Sequence, residues 1–166
     1  MKIKTLHDLF CDILYDTFDA EQHLLKALQK NIEHSTNPGL SGVFEAHLFE
    51  TQNQVRRIER IFESLNIKPK KEGCEAIRGL LHETEEFVKH IQKGAVLDAA
   101  LIAASQKIEH YEISAYGTLR TLAATLGYTE AEQLLQETLE EEKAADQKLS
   151  VLAKGSVNSS AFREAA

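Results

Sequence analysis

Along this chain apolar positions recur with the period of a helix, and in each long stretch a carboxylate interrupts the stripe near its middle. In residues 5–33 the stripe reads Phe10, Ile13, Leu14, Thr17, Glu21, Leu24 and Leu28, spaced by threes and fours on one helix face. Residues 40–66 repeat it with Leu40, Phe44, His47, Glu50, Gln54, Ile58, Ile61 and Leu65, apolar at the ends and polar between. Residues 97–126 carry Leu101, Ser105, Ile108, Ala115, Leu119 and Leu122, with Glu109 and Glu112 on or beside the stripe. Residues 129–154 carry Leu134, Leu135, Thr138, Glu142, Ala145, Leu149 and Leu152. A shorter pattern, Ile77, Leu80, Leu81, Phe87, Val88 and Ile91, predicts a connecting helix over 74–92.

Local signals set the boundaries. Thr5 and Asp8 have capping-box spacing, as do Thr129 and Glu132, and each pair predicts a helix start. Pro38 with Gly39, Pro69 near Lys68 to Glu72, and Gly94 supply breaks, while Gly127 and Gly155 follow predicted helix ends. These elements make an all-α, antiparallel four-helix bundle with one additional short connecting helix, a single domain over residues 1–155. Residues 156–166, small and polar, are expected to form a mobile tail.

Counting from the turns brings the inner acids to one height. Glu21 lies about 15 residues before the middle of the first turn and Glu50 about 14 after it, a difference of roughly 2 Å at the rise of a helix. Glu112 and Glu142 stand level to within about one turn around the second break, with Glu109 about 4.5 Å further along. A connector that crosses the bundle joins both pairs in one layer. Buried carboxylates repel and raise one another's pKa, and two divalent cations would neutralise them and complete their coordination.

Composition narrows the classes. Acids outnumber Lys plus Arg by 26 to 19, for a net charge of −7, which argues against nucleic acid or an anionic membrane surface as partner. The basic runs at Arg56, Arg57 and Arg60, and at Lys68, Lys70 and Lys71, read as solvated faces. Cys11 and Cys74 have no metal-ligand or disulfide-framework spacing, His7, Asp8 and Asp12 interrupt any export signal, and the apolar run 94–105 is short and contains Asp98. A cytoplasmic, reducing location is the expectation.

The segments DAEQHLLKAL, AALIAASQKIEHYEISAYGTLRTLA and ETLEEEKAADQKL resemble the bacterial YciF/YciE-type stress-protein family of the ferritin-like superfamily, over nearly the whole chain. The resemblance implies a ferritin-like four-helix bundle with an extra helix, a homodimer, and, from the wider superfamily, a carboxylate-bridged di-iron or di-manganese site for oxygen or peroxide chemistry. Glu21, Glu50, Glu112 and Glu142 are the candidate ligands, with Glu109, His47 and Asp146 completing the set and Tyr116 beside it. The superfamily's Glu-x-x-His pairs are missing, because Asn53 follows Glu50 and Ala145 follows Glu142 at the third position. His47 can stand in for one imidazole, and the oxygen-rich remainder suits iron or manganese over copper or zinc. The alternative is a non-enzymatic dimeric structural or interaction protein whose inner acids are vestigial.

Overall fold

A computed structural model describes residues 3–70 and 73–164. Lys71 of the second basic run and the last two residues of the expected tail lie outside that range. Among the described residues the regular elements are helices, α1 (Leu6–His34), α2 (Pro38–Ser64), α3 (Glu75–His90), α4 (Ala95–Leu126), α5 (Thr129–Leu152) and α6 (Asn158–Glu164), with a π-helical turn at Ala153–Val157. No helix among them is long and apolar enough to cross a membrane.

The ends of the helices follow from their caps. Thr5 accepts from the Asp8 backbone N–H at 3.0 Å and Asp8 accepts from that of Thr5, closing the box at the start of α1. Asn37 accepts from the backbone N–H groups of Gly39 and Leu40, so α2 begins at Pro38 rather than Leu40. At α5 the expected capping box does not form. Gly127 takes the left-handed conformation (φ 74°) and the Tyr128 N–H bonds to the Ala123 carbonyl, so Thr129 is already helical and Tyr128 occupies the cap.

α1 and α2 form one hairpin, α4 and α5 the other, and the bundle closes through α1 against α4 and α2 against α5. An apolar cluster at one end contains Phe10, Leu14, Ile58, Ile61, Leu119 and Leu135. Another, at the opposite end, contains Leu28, Leu40, Phe44, Leu97, Leu101 and Leu149. Since α2 finishes at the first end and α4 begins at the second, the connector must run the length of the bundle. α3, of 16 residues, spans about 24 Å of it and covers Ala20, Leu24 and Ile108 with Cys74 and Ile77.

The expectation for the end of the chain is corrected here. Residues 156–164 are helical instead of a mobile tail: Gly155 lies within the π-turn, and Val157, 1% exposed, packs into the cluster of Leu28, Leu40 and Leu149. Glu164 then accepts a hydrogen bond from the Ala95 N–H at the start of α4. Phe62 of α2 is 1% exposed, stacked near Tyr15 and edge-on to Phe18, whereas Phe49 of the same helix is 64% exposed.

Candidate metal centre

Between the two apolar clusters lies a polar layer. Thr17 and Glu21 from α1, His47, Thr51 and Gln54 from α2, Glu109 and Glu112 from α4, and Thr138 and Glu142 from α5 are all buried. Each belongs to its helix's inward stripe, and rigid helices make their convergence a property of the fold. Ligand atoms of His47, Glu109, Glu112 and Glu142 lie within 4.8 Å of one another, an arrangement able to hold a metal ion.

His47 takes the inner place on α2. Its Nε2 lies 3.4 Å from Glu109 Oε1 and 3.6 Å from Glu142 Oε2, while its Nδ1 lies 3.1 Å from Glu50 Oε2. Glu50 therefore stands behind the imidazole. It is partly exposed and also meets Lys148 at 3.4 Å. Glu21 lies in the layer as a fully buried neighbour, accepting a hydrogen bond from the Tyr116 hydroxyl. Asp146 is outside the group: it accepts from Gln106 Nε2 at 2.9 Å and has His110 3.9 Å away.

Each inner carboxylate keeps an oxygen without a hydrogen-bond partner: Glu21 Oε2, Glu109 Oε2, Glu112 Oε2 and Glu142 Oε2. On Glu21 and Glu142 the other oxygen is held, by Tyr116 and by the Gln54 amide respectively. Buried polar atoms are ordinarily paired, so four orphans in one layer match the requirement of a cation.

Burial first, then the neighbouring charge of Glu142, pushes Glu21 up to about 8, although the Tyr116 hydrogen bond and His47 pull the other way. Burial likewise raises Glu109 to about 7, against its hydrogen bond with Glu142 and with help from the charges of Asp146 and Glu21. Glu112 and Glu142 are raised well above the carboxylate range, each chiefly by burial. Burial opposes protonation of His47, yet its hydrogen bond to Glu50 and the charges of Glu142, Glu50 and Glu21 outweigh it, and its pKa rises. Glu50, bonded to His47, is lowered.

Sequence reasoning passed over some supports. Arg57, read as part of a solvated run, is mostly buried and grips both Glu141 oxygens at 2.6 and 2.7 Å, beside the Gln54 amide, which reaches Glu141 at 3.1 Å. Its position one turn from Gln54 was the available signal. Thr51, which donates to the His47 carbonyl at 2.9 Å, carried none.

Comparison with known proteins gives a consistent result. A family profile described as domain of unknown function DUF892 matches residues 5–162. Protein YciF of Escherichia coli K12 is 50% identical over 166 residues, covering 99% of this chain and all of that protein. The crystal structure of the E. coli stress protein YciF superposes with a TM-score of 0.90 at 51% identity, over 94% of this chain and 99% of that one. A Rhodopseudomonas palustris protein, YcfI, provisionally described as structural, superposes at 0.87 with 44% identity, over 90% and 95% of the two chains. The chain belongs to the DUF892 family and shares its fold and half its sequence with the stress protein YciF of E. coli.

Proposed function

We propose that this chain is a stress-associated di-metal carboxylate protein that binds two iron or manganese ions in the polar layer and reacts there with peroxide or oxygen. The observation that carries the reading is the set of four buried carboxylate oxygens without partners, from Glu21, Glu109, Glu112 and Glu142, in the layer where ligand atoms of His47, Glu109, Glu112 and Glu142 converge within 4.8 Å. Carboxylate oxygens with one imidazole suit hard or borderline ions. Such ions, when bound, supply redox chemistry toward oxygen species by moving between divalent and trivalent states.

The protein's own groups do the positioning. Glu50 holds Nδ1–H of His47, which leaves Nε2 with its lone pair facing the acids. Tyr116 and Gln54 fix one oxygen each of Glu21 and Glu142 and leave the other free. The apolar clusters on either side keep bulk water from the layer. Asp146, bound to Gln106, belongs to the surround rather than to the ligand set in this reading. A reducing cytoplasmic location and a homodimer, with no nucleic-acid or membrane partner, complete the proposal; sedimentation velocity separates the dimer from an 18.6 kDa monomer.

A second reading, a metal-free structural protein, is favoured by the same hydrogen bonds, because raised pKa values allow the acids to persist protonated beside Tyr116 and Gln54. Peroxide added to anaerobic, Fe(II)-loaded protein decides about reactivity. A new absorbance in wild type that Glu112→Ala lacks supports the first reading, and an unchanged wild-type spectrum contradicts it.

A further inference from the structure

The polar layer is enclosed, so a reactant must enter by some route, and two cavities mark one. A groove of about 630 Å³ runs between α1 and α3, because α3 packs mainly along α4 and leaves a gap beside Lys26, Lys30 and His34. A second, smaller void of about 10 Å³, room for a single water-sized molecule, touches His47, Glu109 and Glu112. Ala27 and Asn31 line both.

The walls select by chemistry. The inner void is bounded by Leu24, Leu28 and Ile108 together with two neutral polar side chains, Asn31 and Ser105. Ser105 Oγ is buried and has no hydrogen-bond partner, and Asn31 is 5% exposed. An ion would lose its hydration here without gaining an opposite charge before reaching the acids. A small uncharged molecule would lose little, and Ser105 and Asn31 could hydrogen-bond it. At the mouth Lys26, Lys30 and Lys89 stand with Glu33 and Glu85, and Lys89 is paired to Glu86 at 2.6 Å, so the fixed charges balance and do not draw in divalent cations. The exposed pair Lys30–Glu85, at 3.2 Å, crosses the groove as a weak clasp.

We infer that the α1–α3 groove is the entrance for a small uncharged oxygen species, dioxygen or hydrogen peroxide, which passes Ala27 and Asn31 to reach the face of the centre formed by His47, Glu109 and Glu112. The inference rests on the metal reading above. It assigns Asn31 and Ser105 as the polar contacts of the reactant, and it requires metal ions to load by another path.

Nitric oxide, neutral and of two heavy atoms, probes this access without turnover. Anaerobic Fe(II)-loaded wild type, Ala27→Val and Ala27→Phe are mixed with it in a stopped-flow spectrometer, after iron content and melting temperature are measured for each. The expected result is a binding rate that falls with side-chain volume, by roughly tenfold or more for the phenylalanine, since close-packed interiors leave no alternative void of that size. Iron content and final amplitude stay unchanged. The valine variant carries the test if the larger side chain impairs folding. Lys148→Ala, on the Glu50 side, is expected to leave the rate unaltered. Iron-loaded variants that bind nitric oxide at the wild-type rate, or a Lys148→Ala protein that binds it faster, overturn the passage while the metal reading stands. Wild type that takes up no iron overturns that reading first, and is recognised before any nitric oxide is added.

Discussion

His47 and Glu50 are hydrogen-bonded on α2, Nδ1 of the imidazole to Oε2 of the carboxylate at 3.1 Å, and this sets which atom of the helix faces the acids. A histidine whose far nitrogen is held by a carboxylate keeps a fixed tautomer and is a stronger ligand for it. Glu50→Gln should therefore weaken metal binding by about 10-fold to 100-fold while leaving the melting temperature of metal-free protein nearly unchanged. Chelator competition measures the affinity. An unaltered affinity would remove Glu50 from the account.

Metal-free protein should lose stability as pH rises. Glu21 at about 8 and Glu109 at about 7 hold protons that the unfolded chain, with ordinary carboxylates near 4.5, has released. Between about pH 4.5 and 8 the native state thus binds more protons, and stability declines with increasing pH. Raised Glu112, Glu142 and His47 act in the same direction. Glu50, lowered and partly exposed, opposes it, losing its contribution as pH falls through its folded value, and the exposed Asp8 and Glu86, also lowered, act in the same sense. Urea midpoints should be higher at pH 5.5 than at pH 8, by about 1 kcal/mol or more in free energy. Added Fe(II) or Mn(II) should reverse the trend, since metal binding expels those protons.

Glu112 has no hydrogen-bond donor on its buried Oε2, so its replacement relieves a cost. Glu112→Gln should stabilise the metal-free protein at pH 8, by about 1–3 kcal/mol, and abolish metal-dependent stabilisation. Tyr116→Phe should act oppositely, taking the donor from Glu21 and destabilising by about 1–3 kcal/mol. Thermal melts with and without metal separate the two.

Much of this was readable because helical stripes report which way a residue faces. Glu21, Glu109, Glu112 and Glu142 stand in long apolar repeats, and their buried convergence follows from period and turn position. The stripe of α2 was ambiguous: His47 and Glu50 lie only about 60° apart around a helix, and sequence could not tell which points inward and which flanks. The helical end of the chain was hidden for a different reason. Gly155 looks like a terminator, but a π-turn absorbs it, and one residue, Val157, provides the anchor.

Asp98 shows the same limit. In sequence it merely interrupts an apolar run, whereas in the fold it is 2% exposed and accepts from the Thr36 N–H at 2.8 Å, the Thr36 hydroxyl at 2.6 Å and the Asn37 N–H at 3.0 Å. It ties the α1–α2 turn to the start of α4. Asp98→Ala should destabilise by about 3 kcal/mol, read as a urea midpoint shift, because three donors lose a charged acceptor.

The central claim is that the acids of the polar layer exist to hold metal. Inductively coupled plasma mass spectrometry on protein purified without added metal or chelator, beside a Glu21→Ala, Glu112→Ala double variant, addresses it directly. The account predicts about two iron or manganese ions per chain in wild type, as for a dinuclear carboxylate site, and their loss in the variant. Equal, negligible metal in both proteins after reconstitution with Fe(II) and Mn(II) would contradict it and leave the metal-free structural reading.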